Sequence, residues 1–128
     1  MKALLDTHAA LFAWIEPERL SDRARNVIKD PANQLFFSQV SVLEITLKYK
    51  LGKLPLPEPP EIYLRSRIDQ FMFTYLPLDD SDIYGMLTLP EAHKDPFDWL
   101  LLSNAQRRKI PILSKDVAFH NYPVDLIW

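Results

Sequence analysis

The chain of 128 residues has no cysteine and only two glycines, and it has no apolar run long enough to span a membrane. Without cysteine there are no disulfides, thiolate metal sites or cysteine nucleophiles. Two isolated glycines, Gly52 and Gly85, cannot form a glycine-rich loop that binds nucleotide phosphates. The three histidines lack the HxH and HxxxH spacings of zinc sites. Any metal site must therefore rely mainly on oxygen ligands.

The remaining composition is typical of a folded protein, with 48% hydrophobic and 25% charged residues. An acid at position 6 interrupts the N-terminal apolar residues too early for a secretory signal peptide. We therefore expect a cytoplasmic protein that does not bind membranes. The net charge of −2 neither supports nor excludes a nucleic-acid substrate.

Eleven prolines and the spacing of apolar residues divide the chain into alternating strands and helices. The predicted strands are 2–5, 35–37, 71–75, 110–113 and 124–127. The predicted helices are 7–15, 22–29, 39–51, 61–70, 80–89 and 96 to about 108. Strands separated by helices require crossover connections, so we expect an α/β fold with a parallel sheet of about five strands covered on both faces. In the order 3-2-1-4-5, strands one and four are neighbours where the winding reverses.

Two acids follow these neighbouring strands, Asp6 after the first and Asp116 shortly after the fourth. Ligands of open parallel sheets bind in the crevice outside the carboxyl ends of the strands. Each acid also has a structural interpretation, because Asp6 could cap the helix that begins at Thr7 and Asp116 could cap a short turn. The strand-end position keeps a catalytic interpretation open for both.

A third acid, Glu44, lies inside the predicted helix 39–51. Helical spacing predicts that Val40, Leu43 and Leu47 face the core, with Glu44 beside this stripe. Glu44 could form an exposed pair with Lys48 one turn later, or it could point towards the sheet edge.

A fourth acid, Asp98, lies in the first turn of the helix that Asp95 and Pro96 open. Asp95 at the N-cap and Asp98 at the third helical position resemble a capping box. The helix dipole at this end would also keep a carboxylate ionised, as a metal ligand requires. We expect Asp95 to cap the helix and Asp98 to bind a metal.

Four carboxylates at one sheet edge would repel one another unless a cation lay between them. Oxygen ligands suit Mg²⁺ or Mn²⁺. Our hypothesis is metal-assisted phosphodiester hydrolysis, in which Asp6, Asp98 and Asp116 hold the ion and Glu44 orients or deprotonates the attacking water. Lys48 is a candidate phosphate contact, and the basic run at 107–109 is a weaker one.

At these residues the sequence resembles the PIN-domain ribonuclease toxins of the VapC type. The segments that carry the resemblance are Leu4-Leu5-Asp6-Thr7-His8, Ser38-Gln39-Val40-Ser41-Val42-Leu43-Glu44-Ile45, Lys48 with Leu51-Gly52-Lys53-Leu54, Asp95-Pro96-Phe97-Asp98 and Leu113-Ser114-Lys115-Asp116. The resemblance implies one three-layer α/β/α nuclease domain over residues 1–128, a Mg²⁺- or Mn²⁺-dependent ribonuclease acting on RNA, a small cognate antitoxin and a homodimer.

The resemblance also assigns the site. The acidic residues of the family match Asp6, Glu44, Asp98 and Asp116, and two positions that often support them match Ser38 and Ser114. The chain departs from the family at Trp99, where a basic residue is common. It departs again at Ser103 and Asn104, where small apolar residues are more usual.

Two other functions compete with the nuclease hypothesis. A phospho-accepting receiver domain has a similar size and five parallel strands, but it needs an acid pair after the first strand, where this chain has Asp6 alone. A catalytically silent PIN domain that only binds a partner would keep the fold without the activity.

Overall fold

A parallel five-stranded sheet lies between two layers of helices in the computed structural model, which describes residues 1–128. The strand order is β3-β2-β1-β4-β5, as predicted. The strands are β1 Lys2–Leu5, β2 Gln34–Ser38, β3 Thr74–Leu76, β4 Ile112–Leu113 and β5 Leu126–Ile127. The α-helices are α1 Thr7–Ile15, α2 Asp22–Lys29, α3 Gln39–Lys50, α4 Pro60–Gln70, α5 Asp80–Gly85 and α6 Pro96–Gln106. Single 3₁₀ helices span Pro17–Arg19, Met86–Thr88 and Val117–Asn121.

The last three strands are shorter than their apolar runs predict. Phe71 forms the C-cap of α4, and Met72 adopts a left-handed conformation with φ of 57°, so β3 begins only at Thr74. Such a residue ends a helix and redirects the chain. The apolar residues before Thr74 therefore belong to the turn.

The sheet divides the core in two because alternate residues of a strand point to opposite faces. Ala3 and Leu5 of β1 pack with α1, α2 and α4, whereas Leu4 packs with α6 and with Phe119 of the last 3₁₀ helix. None of the helices has both the length and the apolarity needed to cross a membrane.

The predicted core face of α3 is right at Val40, which is buried, but wrong at the two leucines. Leu43 and Leu47 are 53% and 40% exposed, while Ser41 and Glu44 are buried. Ser41 lies against α1, where its hydroxyl is 2.7 Å from that of Thr7. The helix therefore turns a partly polar face inwards, and Glu44 belongs to that face instead of flanking an apolar one.

Candidate active site

Asp6 and Asp116 lie at the ends of neighbouring strands, as the sheet order predicts. The Ser114 hydroxyl donates a hydrogen bond of 2.5 Å to Asp6 Oδ2 and accepts one of 3.0 Å from the Asp116 backbone N–H. The Asp6 backbone N–H also bonds to the Leu113 carbonyl at 3.0 Å, which holds the two strand ends together. One hydroxyl thus links the Asp6 carboxylate to the backbone of Asp116.

Both acids also cap helices, which was the structural interpretation of each. Asp6 Oδ1 accepts a hydrogen bond from His8 N at 3.0 Å, and Asp116 Oδ1 accepts one from Ala118 N at 2.9 Å. Capping leaves the carboxylates at the cleft, because Asp6 and Asp116 line the same opening. The other lining residues are His8, Phe12, Arg19, Lys115 and Val117.

Glu44 is buried and paired with Lys48, whose Nζ lies 2.6 Å from Glu44 Oε2. The charge of Glu44 also acts on His8, the histidine next to Asp6. Interaction with Asp6, 3.7 Å from His8 Nδ1, is the main cause that raises the pKa of His8. Burial and Lys48 lower this pKa, while Glu44 raises it further. Glu44 therefore contributes to the same electrostatic environment as Asp6.

Asp98 lies at the start of α6, where Asp95 forms the N-cap as predicted and accepts a hydrogen bond from Phe97 N at 2.9 Å. Burial raises the pKa of Asp98 to about 6, and the charges of Asp95 and Asp6 add to this effect while His93 opposes it. The negative charge of Asp6 thus acts directly on Asp98. The two carboxylates repel each other across the site.

Comparison with known proteins identifies the fold family. The family model of the PIN domain matches residues 3–125. The chain belongs to the PIN-domain family. This membership confirms the predicted resemblance and rules out the receiver-like alternative.

Individual relatives of this PIN domain agree with the assignment. Ribonuclease VapC16 of Mycobacterium tuberculosis (strain ATCC 25618 / H37Rv) is 38% identical over 47 residues, which are 37% of this chain and 33% of that protein. The match thus spans about a third of the length of the curated relative.

Solved structures share the fold along almost the whole chain. VapBC2 from Rickettsia felis, bound to a DNA fragment from its promoter, has a TM-score of 0.70 at 16% identity and covers 99% of this chain and 98% of its own. FitAcB from Neisseria gonorrhoeae has a TM-score of 0.63 at 17% identity, with 100% and 97% covered. A toxin–antitoxin complex from Klebsiella pneumoniae has a TM-score of 0.64 at 16% identity, with 98% and 96% covered.

The PIN domain holds Asp98 through residues that sequence reasoning missed. His93 Nε2 lies 2.8 Å from Asp98 Oδ2, and His93 Nδ1 lies 2.8 Å from the Tyr122 hydroxyl. Trp99 Nε1 donates to the same hydroxyl at 3.2 Å. A histidine five residues before an acid gives no sequence signal here, because Tyr122 approaches it only in the folded chain.

Ser38 touches a different polar network. It caps α3 by accepting a hydrogen bond from Val40 N at 3.0 Å, and it donates one of 2.8 Å to Asn104 Oδ1. Asn104 Nδ2 in turn donates to Asp82 Oδ2 at 3.0 Å. Ser38 therefore anchors the start of the helix that carries Glu44.

The basic residues near the end of α6 complete this network. Arg107 Nη1 and Arg108 Nη1 lie 2.6 Å and 2.8 Å from Asp82 Oδ1, and the Asp82 side chain is fully buried. Both arginines, although partly exposed, are thus paired with a buried acid of the protein, which argues against the weak prediction that they contact phosphates. The polar residues Ser103 and Asn104 also have a structural role, since Ser103 donates to the Asp82 carbonyl at 2.5 Å.

The donors at the site suit a hard divalent cation, although no three of the His, Asp and Glu side chains lie close enough together to enclose one. Glu44 is held by Lys48, and Asp98 is held by His93. The carboxylate and hydroxyl oxygens at the cleft are ligands that Mg²⁺ and Mn²⁺ prefer. The raised pKa of Asp98 reflects burial and negative charge that a cation would offset.

Proposed function

We propose that this PIN domain, residues 1–128, is a Mg²⁺- or Mn²⁺-dependent endoribonuclease and the cytoplasmic toxin of a toxin–antitoxin pair. The observation that carries the proposal is the Ser114 hydroxyl, which links the Asp6 carboxylate to the Asp116 backbone at the switch point of the sheet. The name of the M. tuberculosis relative, a ribonuclease, supports the activity. The toxin–antitoxin complexes among the structural neighbours support a small protein antitoxin as partner. A homodimer is part of the proposal by family resemblance.

In the proposed mechanism, Asp6, Asp98 and Asp116 would hold the cation, directly or through bound waters, and Ser114 keeps the Asp6 carboxylate in place. A bound Mg²⁺ or Mn²⁺ would supply a water of lowered pKa and positive charge beside the scissile phosphate. Glu44 orients or deprotonates the attacking water from its buried position on α3. No protein nucleophile is required.

Two cationic side chains at the cleft suit the phosphates of the substrate better than Arg107 and Arg108 do. Arg19 Cζ and Lys115 Nζ lie 4.4 Å and 5.0 Å from the centre of the Phe12 ring. Phe12 holds both cations beside the opening lined by Asp6 and Asp116. We propose that Arg19 and Lys115 contact the phosphates on either side of the cleaved bond.

The test is incubation of the purified protein with total RNA in the presence of Mg²⁺, Mn²⁺ or EDTA, followed by mapping of the cut ends. We expect cleavage with either cation and none with EDTA. Single-stranded DNA of matched sequence, run in parallel, tests the preference for RNA. Intact RNA under all conditions would instead favour a silent PIN domain that only binds a partner.

A further inference from the structure

We propose that His93 is a positioning residue for Asp98, and that Tyr122 and Trp99 determine which nitrogen of its ring carries the proton. The proposal concerns four side chains that converge from the loop before α6, from α6 itself and from the end of the last 3₁₀ helix. Its hydrogen-bond geometry stands by itself, and its consequence for a cation rests on the proposed function.

The hydrogen bonds at the Tyr122 hydroxyl determine their own directions. A phenol has one hydrogen and two lone pairs. Trp99 Nε1 and the His93 backbone N–H can only donate, and both lie 3.2 Å from the Tyr122 oxygen. These two donors occupy both lone pairs. The single phenol hydrogen is therefore directed to His93 Nδ1, 2.8 Å away.

The opposite side of the imidazole follows from this assignment. If Nδ1 accepts a hydrogen bond, the proton of the neutral ring is on Nε2. Nε2–H then donates to Asp98 Oδ2 at 2.8 Å, and Asp98 Oδ1 has no hydrogen-bond partner in the protein. One carboxylate oxygen is therefore held, and the other is free to bind a ligand. Outer hydrogen bonds of this kind orient metal-binding carboxylates.

The packing around His93 holds the ring in this orientation. The Tyr122 ring meets it edge-on, with centroids 5.3 Å apart and planes at 79°, and Tyr122 is only 5% exposed. The ring of Phe119, in the last 3₁₀ helix, also lies nearby, with its centroid 6.5 Å from that of His93. Trp99, where the chain departs from the family pattern, thus has a defined role, because its indole N–H fills a lone pair of the Tyr122 oxygen.

The first test is the tautomer of His93, read from ¹⁵N–¹H correlation spectra of the imidazoles in the full chain with EDTA at about pH 8, above the usual histidine pKa. His93→Gln assigns the His93 signals. We expect Nε2–H in the wild-type protein and a population of Nδ1–H in Tyr122→Phe, which removes the phenol hydrogen. Nδ1–H in the wild type, or an unchanged tautomer in Tyr122→Phe, would overturn the proposal.

The second test measures Mn²⁺ binding, by electron paramagnetic resonance of the free ion. His93→Leu removes the donor to Asp98, whereas the amide of His93→Gln retains one. We expect the Leu variant to bind Mn²⁺ about tenfold more weakly or worse, and the Gln variant within about threefold of wild type. His120→Leu, at an exposed histidine, is the matched control and should leave binding unchanged.

The outcomes separate this proposal from the proposed function. Equal loss in the Gln and Leu variants with unchanged circular dichroism would contradict the positioning role. If the wild-type protein binds no Mn²⁺ at all, the proposed metal-dependent nuclease fails, while the tautomer spectra still decide whether Tyr122 orients His93.

Discussion

Lys48 Nζ lies 2.6 Å from Glu44 Oε2, one helical turn away on α3. The two side chains differ in environment, since that of Glu44 is 7% exposed and that of Lys48 is 38% exposed. An exposed helical pair contributes a few tenths of a kcal/mol. A buried carboxylate depends much more on its partner, because it has lost its contact with water.

Replacement of this lysine should therefore destabilise the protein. We expect Lys48→Met to lower the free energy of unfolding by about 2 kcal/mol, less than a fully buried pair because Lys48 reaches solvent. Urea denaturation in EDTA measures the change. Lys50→Met, at an exposed lysine of the same helix, is the control and should change it by less than about 0.5 kcal/mol. Similar losses in both variants would mean that Glu44 does not need this partner.

Neutral amides at two of the proposed ligands should abolish cleavage without unfolding the domain. Asn is as good an N-cap as Asp, so Asp6→Asn keeps the start of α1 while removing the charge. We expect Asp6→Asn and Asp98→Asn to cleave RNA at least about 100-fold more slowly, because the site loses several kcal/mol of charge stabilisation.

The measurement for these amides is a time course of RNA cleavage at saturating Mg²⁺, with thermal melting as the check on folding. Asp22→Asn removes the same charge at a side chain that is 99% exposed, and it should cleave like the wild type. Full activity in both site variants would remove the proposed mechanism.

The features that the sequence predicts are those that local patterns and topology determine. Alternating strands and helices imply a parallel sheet, and its order brings Asp6 and Asp116 together through Ser114. The spacing of apolar residues mispredicts part of the buried face of α3, because the helix buries Ser41 and Glu44 in polar contacts and leaves Leu43 exposed. Periodicity counts only apolar residues, so it cannot detect a face buried by hydrogen bonds.

Contacts between distant polar residues have no local signal either. The partners in the Tyr122–His93 hydrogen bond are 29 residues apart, and those in the Asn104–Asp82 bond are 22 apart. Each pair forms only because α5 packs against α6, and because α6 and the last 3₁₀ helix pack on the same face of the sheet. With one sequence and no structure, such polar residues look like ordinary surface residues.

Asp82 should be a main source of stability outside the site. It is fully buried, and it accepts hydrogen bonds from Arg107, Arg108, Asn104 and the Asp79 backbone. We expect Asp82→Ala to lower the free energy of unfolding by about 3 kcal/mol, because both arginines lose their buried partner. Asp80→Ala, at an exposed acid of the same helix, should have little effect in the same urea denaturation experiment.

The contribution of Asp82 should also depend on pH. Burial raises the pKa of Asp82, but hydrogen bonds from Arg108, the Asp79 backbone and Arg107 outweigh it and leave this pKa below its ordinary value. The native state thus favours the ionised form. The stability difference between wild type and Asp82→Ala should be complete above about pH 4 and should shrink as the pH falls further. A difference that stays constant down to about pH 2 would contradict this assignment.

Asp98 should show the opposite pH dependence. Burial and the charges of Asp95 and Asp6 raise its pKa to about 6, despite the hydrogen bond with His93, so the native state binds this proton more tightly than the unfolded chain does. Without metal, the wild-type protein should therefore lose stability relative to Asp98→Asn as the pH rises from about 4 through 6, by roughly 2 kcal/mol. Urea denaturation of both proteins in EDTA across this range measures the difference. A constant difference across the range would show that folding does not raise the pKa of Asp98.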